Sequence, residues 1–471
     1  MAASRSTAGE LVPPEARLRV TLEVNGEAVP AAVAAASRLS LHVDLDVLLA
    51  EDAVEGVYLR ADLPSGPARL GPGRLLRGVR GGPHRLVFTG NLHDCHALVN
   101  DGRVVDLRSW FDNVPVVLAQ KERIRPEFRA HVADVAYDLS VWRRFFDEQD
   151  RVLVSEPADV AQAAREALLA TEGRRFMAYL DTKVQELGQI VRHYTKEDHE
   201  RHGFYLRRHL WPYLLASEFM KRTNLKPSGY AGDAELMVMI YADEYVGAST
   251  FNQLMHKHGI ETAAAQAVRN RRRLVPAMLR EIHARFPGLG PRGFRFLSLA
   301  CGPACELDDV FLGAEDAARF DVSLLDQDPH ALELARGTVR RIEARLRGGL
   351  AVHYHQDSVR TMLRTRDLRR RFGEHHFVYS MGLFDYLTQP VAKAVLAKTY
   401  ELLVPGGILV VGNFHVQTAT RLHMDYWGDW PLTYRTEESL RALADGLDAA
   451  SVSIGFDETR CQMFLRLEKP A

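Results

Sequence analysis

Cysteine is scarce in this chain, and the scarcity excludes a disulfide-stapled fold. The four that occur, Cys95, Cys301, Cys305 and Cys461, are scattered and read as reduced packing thiols. Cys301 and Cys305 have a spacing that a zinc site uses, but no second Cys or Cys/His pair stands nearby, so no metal is expected. An excess of charge of one sign is also missing. Sixty Lys and Arg face 61 Asp and Glu, for a net charge of −1. No global field draws the chain to nucleic acid or an anionic bilayer. The basic runs Arg269–Arg273 and Arg369–Arg371 read as helix decoration. Absent as well is any uninterrupted apolar run of about 18 residues, so no transmembrane segment is expected. The N-terminus lacks a basic start followed by an apolar core, and a cytoplasmic location is the expectation. No internal repeat or long low-complexity tract stands out.

What is present sorts into four stretches. Residues 1–14 read as a polar tail ending in Pro13-Pro14. Residues 15–118 carry short alternating runs, such as Ser40-Leu-His-Val-Asp-Leu and Arg85-Leu-Val-Phe-Thr, broken by Gly, Pro, Asn and Asp. Turn signals at this density predict a small β-barrel. Residues 119–290 carry apolar residues at three- and four-residue spacing and predict helices, over Val160–Leu187, Glu200–Phe219 and Asn270–Phe286. His193, His199, His202 and His209 fall here and read as a solvated face. Between the helices, Lys226-Pro-Ser-Gly-Tyr230-Ala-Gly232-Asp233 precedes an apolar helix. Asp233 is a ready helix cap, and Tyr230 is a candidate lid residue. Residues 291–471 predict a doubly wound α/β sheet.

The richest stretch is Phe294–Glu306, FRFLSLACGPACE: a buried strand running into a tight turn that opens a helix. Asp326 ends the next short strand, 24 residues beyond Gly302. Backbone that approaches a ligand at the turn, with a carboxylate placed for ribose hydroxyls, describes a nucleotide or nucleoside site. Further strand ends follow at Asp357-Ser358 and at Ser380-Met381-Gly382-Leu-Phe-Asp385-Tyr386. Leu402-Leu-Val-Pro-Gly-Gly then leads into a fifth strand ending at Asn413.

This ordered series, over roughly residues 290–470, resembles the motifs of class I S-adenosylmethionine (SAM)-dependent methyltransferases. The resemblance implies SAM as cofactor and a C-terminal Rossmann-like sheet. It implies cofactor contacts from Ser298, Ala300, Gly302, Asp326, Gln327, Asp357, Ser358, Ser380, Met381 and Gly382. There are departures. The family's first motif has an acid where Ser298 stands and glycines where Ala300 and Ala304 stand. Alanine resists positive φ, so a less extreme turn is expected. A dinucleotide reading is weaker, because it wants Gly-x-Gly-x-x-Gly at the helix start for a pyrophosphate. The barrel stretch faintly resembles a PilZ domain, but Ser37–His42 lacks the Asp and Gly of a cyclic di-GMP turn. A structural or dimerising barrel is preferred, and a homodimer is one expected assembly.

Asp147–Asp150, Lys226–Asp233, Gly382–Tyr386, Met424–Trp430 and Tyr434-Arg435 narrow the resemblance to proteins that make 3-hydroxypalmitic acid methyl ester, a bacterial quorum signal. That resemblance implies O-methylation of a fatty-acid carboxyl. A carboxylate is ionised at neutral pH and needs alignment rather than a base. Tyr230, Asp385, Tyr386, Asn413 and His415 are the candidate catalytic residues, and Arg271, Trp427 and Arg435 the candidate substrate contacts. Trp430 is a further aromatic candidate for cation–π contact with a sulfonium. Met237, Met239, Ile240 and Phe251 are candidates for an apolar slot. Three alternatives stay open: a cyclase that releases methylthioadenosine from SAM, a methyltransferase acting on another small carboxylic acid, and a non-enzymatic module that senses cyclic di-GMP.

Overall fold

The computed structural model describes residues 10–11, 18–37, 39–45, 52–63, 66–78, 82–90, 93–100, 104, 118–119 and 121–471. The expected N-terminal tail lies outside these residues except for 10 and 11. The chain divides into two compact units, residues 1–123 and 124–471.

In the first unit, alternation of apolar and polar residues produces six antiparallel strands: β1 (Arg19–Val24), β2 (Glu27–Ala36), β3 (Ser40–Leu45), β4 (Ala53–Leu63), β5 (Gly66–Leu76) and β6 (His84–Phe88). They pair in the order β2-β1-β4-β5-β6-β3, and β3 returns to β2, so these six close into a barrel; a seventh, two-residue strand, Glu10–Leu11, pairs antiparallel with the end of β2. Leu22, Val33, Leu41, Val43, Val57, Leu59, Leu75 and Leu86 point inward and are fully buried. At the β2–β3 turn, the Ser37 and Ser40 hydroxyls lie 2.8 Å apart and Ser40 N donates to Ser37 Oγ. Arg38, between them, lies outside the described residues.

The second unit opens with helices: α1 (Pro126–Val154), α2 (Ala158–Leu168), α3 (Arg174–Val191), α4 (Lys196–Leu214), α5 (Glu218–Leu225), α6 (Ala234–Ala242), α7 (Thr250–Glu261) and α8 (Ala263–His283). Helix α2 passes into α3 through a π-helical turn at Leu169–Gly173. The run expected over Glu200–Phe219 breaks at Ser217, whose hydroxyl accepts from Met220 N and restarts the chain as α5. The histidines expected on a solvated face are not all there. His202 is fully buried, with Nδ1 2.8 Å from Asp198 O and Nε2 accepting from Arg125 N. His199 Nδ1 lies 2.8 Å from the Tyr426 hydroxyl.

Apolar strands then build the sheet: β7 (Phe294–Leu299), β8 (Phe320–Asp326), β9 (Ala351–Gln356), β10 (His375–Ser380), β11 (Leu403–Phe414), β12 (Ser451–Phe456) and β13 (Gln462–Glu468). The order is β9-β8-β7-β10-β11-β13-β12. The first five are parallel, and the final hairpin adds antiparallel to β11. Helices α9 (Pro329–Leu346) and α10 (Gln389–Glu401) are crossovers. Order reverses between β7 and β10, so a crevice opens at their carboxyl ends. One core cluster joins the helical region to Phe414, Met424, Tyr426, Trp427, Trp430 and Cys461. Helix α8 contributes its first half to that core and Val275, Leu279 and Ile282 to the core on the sheet. All four cysteines are buried and unpaired. No helix among the described residues is long and apolar enough to cross a membrane.

Candidate active site

The crevice is a cavity of about 530 Å³, floored by strand ends and roofed by the helical region. The floor begins with the turn after β7. Ala300 (φ 54°), Gly302 (φ 54°) and Ala304 (φ 49°) are all left-handed. The expectation of a less extreme turn is therefore corrected: alanine adopts the geometry that glycine would, at roughly 1–2 kcal/mol per residue. The turn is held from below, because Gly302 N donates to Asp326 Oδ2 at 2.9 Å and Cys301 N to Leu325 O at 3.1 Å. Asp326 Oδ1 also accepts from Asp328 N at 3.0 Å. Burial raises the Asp326 pKa, while these backbone donors oppose the shift. A Cβ at Gly302 would project into open space.

On one side Asp357 lines the cavity; its Oδ1 accepts from Ser358 N at 2.8 Å, and Arg371 lies 2.6 Å from Oδ2. On the other side lie Ser298, Tyr379 and Glu306. Tyr379 is in register with Ser298, and its hydroxyl donates to Glu306 Oε1 at 2.8 Å. Farther along, Met381, Gly382, Asp385 and Tyr386 form the β10 loop wall. Asp385 Oδ1 accepts from Phe414 N at 2.6 Å. Burial pushes the Asp385 carboxyl up to about 6, against the pull of that donor, Arg271 and Arg435.

The roof comes from α8 and the lid loop. Ala264, Ala265, Val268, Arg271, Arg272 and Val275 recur at three- and four-residue spacing, so one face of α8 lines the cavity. Arg271 is 8% exposed, donates to Met381 O at 2.7 Å, and has no carboxylate ion-pair partner among the described residues. Arg272, its neighbour, is paired with Asp309 at 2.9 Å. The lid loop is organised by Asp233. It caps α6 through Leu236 N, receives Arg222 Nε at 2.8 Å on both oxygens, and accepts from Ser228 Oγ. Tyr386 fastens this loop: its hydroxyl donates to Ala231 O at 2.9 Å and accepts from Trp430 Nε1 at 2.8 Å. Tyr230 reaches over the floor, with its hydroxyl 3.4 Å from Asp328 Oδ2. Arg271 also lies 3.2 Å from the Met237 sulfur, and Phe219, Met220, Met237, Ile240, Met424 and Leu432 supply apolar lining.

Of the residues singled out by sequence, Tyr230, Asp385, Tyr386, Trp430, Arg271, Ser298, Ala300, Gly302, Asp326, Gln327, Asp357, Met381 and Gly382 meet on this cavity, as do Met237 and Ile240. Others do not. Ser358 caps a short helix, Val359–Arg364, through Thr361 N. Ser380 Oγ ties β10 to Leu299 O at 2.9 Å. Asn413 is fully buried behind the wall and donates to Phe414 O and Thr433 O. Arg435 donates to Phe384 O, Leu387 O, Gln389 Oε1 and Asn413 Oδ1, which makes it the fastener of the β10 loop. His415 packs edge-on against Phe456, and Trp427 stacks on His423 inside the core. Phe251 is core and Met239 packs against it. Glu306, Tyr379 and Tyr241 are cavity residues that sequence reasoning passed over. Glu306 carries the one visible signal, an acid closing the FRFLSLACGPACE motif.

No protein-family model matches the chain, and no curated protein does. Similar solved structures include a possible exported protein from Bordetella parapertussis, 19% identical, covering 51% of this chain and 80% of that one at a TM-score of 0.40. A magnesium protoporphyrin IX methyltransferase from Synechocystis, solved with bound SAH (S-adenosylhomocysteine), is 12% identical over 44% of this chain and 86% of its own, at a TM-score of 0.32. NodS, an N-methyltransferase from Bradyrhizobium japonicum, is 13% identical over 42% and 96%, at a TM-score of 0.29. Strand order and the switch-point crevice define the C-terminal sheet as a doubly wound α/β fold closed by an antiparallel hairpin.

The donor set fits a cationic nucleoside ligand. Asp326, Glu306 and Asp385 are buried carboxylates with no cationic ion-pair partner among the described residues, and they outnumber Arg271. A dinucleotide would bring two negative charges into that field. Among the described residues, no group of three His, Cys, Asp or Glu is arranged to hold a metal.

Proposed function

We propose that this chain is a SAM-dependent O-methyltransferase that esterifies the carboxyl group of a small apolar acid. Asp326 and Gln327 would hold the ribose, Asp357 the adenine edge, and Tyr230 would cover the cofactor from the lid. SAM supplies an electrophilic methyl group. An acceptor carboxylate aligned by Arg271 would take that methyl group, the O–C bond forming as the S–C bond breaks to leave a neutral thioether, so no residue would have to move a proton. The protein aligns the two and excludes water.

One observation carries the acid specificity: Arg271 is a buried guanidinium on the cavity without a carboxylate ion-pair partner among the described residues, reaching Met381 O of the β10 loop and the sulfur of Met237. Glu306 and Asp385 act on it at a distance without an ion pair, so its fork is left free for the bidentate carboxylate that it matches. The apolar lining of the cavity supports the finer reading, a 3-hydroxy fatty acid of the 3-hydroxypalmitate type made as a quorum signal. For the barrel, the proposed role is structural.

The test incubates the purified protein with SAM and 3-hydroxypalmitate and reads both adenosine products by mass spectrometry. SAH together with the methyl ester is the expected result. Methylthioadenosine without ester would move the chemistry onto SAM itself, and neither product would overturn the acid reading. Arg271→Gln should raise the acceptor KM by about 10–100-fold, the weight of a charge-assisted pair.

Asp385 favours a second reading. A cavity-wall carboxyl held near 6 is matched to accept a proton at neutral pH. It would serve an acceptor with a hydroxyl or amine nucleophile, which a carboxylate acceptor does not need.

A further inference from the structure

Glu306 has no part in the scheme above, yet it is among the most constrained acids of the cavity. It follows directly on the left-handed turn, so its backbone is fixed by the same geometry that opens the floor at Gly302. Its side chain is 8% exposed. Oε1 accepts from the Tyr379 hydroxyl, and Tyr379 is itself buried against the Ser298 position of β7. Burial raises the Glu306 pKa; Arg271 and Arg272 lie near enough to oppose that shift, but neither forms an ion pair with it, and Arg272 is engaged by Asp309. A buried carboxylate held by two neutral donors, its own backbone amide and the Tyr379 hydroxyl, with no ion-paired cation among the described residues, is a costly arrangement that a cationic ligand would complete.

We infer that Glu306 is a positioning residue that receives the α-ammonium of the methionine part of SAM, with Tyr379 fixing its carboxylate. The inference rests on the cofactor reading given above. SAM carries two cationic centres. A sulfonium has no N–H to donate, whereas an ammonium has three and can satisfy a carboxylate directly. Asp326 receives the Gly302 amide on the far side of the turn and marks the ribose end. Glu306, on the near side with Ser298 and Tyr379, is placed for the amino-acid end. The same placement explains how β7 can carry a serine at the point where a strand acid would otherwise serve: the charge comes from the start of the following segment.

Calorimetric titration of the full chain tests this with three ligands: SAH, its analogue lacking the amino group, and methylthioadenosine, which lacks the amino acid altogether. In the unsubstituted protein, removal of the amino group should weaken binding by about 10–100-fold, the range of a charge-assisted hydrogen bond. In Glu306→Gln, SAH and its deaminated analogue should bind alike, while methylthioadenosine keeps its affinity and reports that the protein is folded. Tyr379→Phe should give a smaller loss for SAH alone. Equal binding of SAH and the deaminated analogue by the unsubstituted protein would overturn the inference and leave the cofactor reading standing. Equal weakening of all three ligands in Glu306→Gln would make the residue structural and also overturn it. Failure of the unsubstituted protein to bind any adenosyl ligand would remove the cofactor reading itself.

Discussion

Asp385 decides between the two acceptor chemistries. Its folded pKa, about 6, lies above the ordinary carboxyl value because burial disfavours the charged form. As a base it works only when ionised, so kcat/KM for a hydroxyl or amine acceptor should climb as pH rises through about 6 and then level off. For a carboxylate acceptor the profile should be flat across that interval. Asp385→Asn should abolish the climb in the first case and leave a flat profile in the second. A pH–rate series on both acceptor types measures this directly. Single residues are also where the sequence was least legible. Asn413 and Arg435 sit at strand and loop ends, as functional residues do. Only coordinates reveal that their polar atoms are consumed by Phe384, Leu387 and Thr433 carbonyls. Ala300 and Ala304 misled for the opposite reason: a propensity argued against left-handed alanine, and the surrounding strand ends overrode it.

Among the elements, the lid loop is the most tightly specified. Gly232 has φ 80°, and a Cβ there would fall on the Tyr386 hydroxyl and the Trp430 ring. Gly232→Ala should therefore detach the loop from its fastener. Amide hydrogen exchange should rise over residues 226–233, and methyl transfer should fall by about 10-fold or more, while the sheet amides keep their protection. The helix that follows was foreseeable, because Asp233 has the composition and position of a cap. The fastener was not, because Tyr386 and Trp430 lie far beyond the loop in sequence and no local pattern links them. Four of the five parallel strands were legible for a physical reason: β7, β8, β10 and β11 are largely buried on both faces, so they read as apolar runs, whereas the edge strand β9 is partly exposed and is marked mainly by Asp357 just beyond its end. The break at Ser217 and the π-helical turn at Leu169–Gly173 were hidden by an unbroken helical period.

At the scale of the whole molecule, each compact unit has its own core: the barrel cluster draws only on residues 18–99, and the others only on residues 124–467. Heat should then unfold the chain in two calorimetric steps. SAH at 100 times its Kd should stabilise one of them by about 2.7 kcal/mol and leave the other unmoved. A single transition that shifts as a whole would show instead that the units unfold together. The core shared by the helices and the last quarter of the chain has a consequence for biosynthesis. Phe219, Met237 and Val268 leave the ribosome well before Phe414, Met424 and Trp430, the residues that complete their packing. At about 5–20 residues per second, the greasy face of the nascent helices waits roughly 7–40 s for its cover. During that interval the face that becomes the cavity wall is what a chaperone would meet.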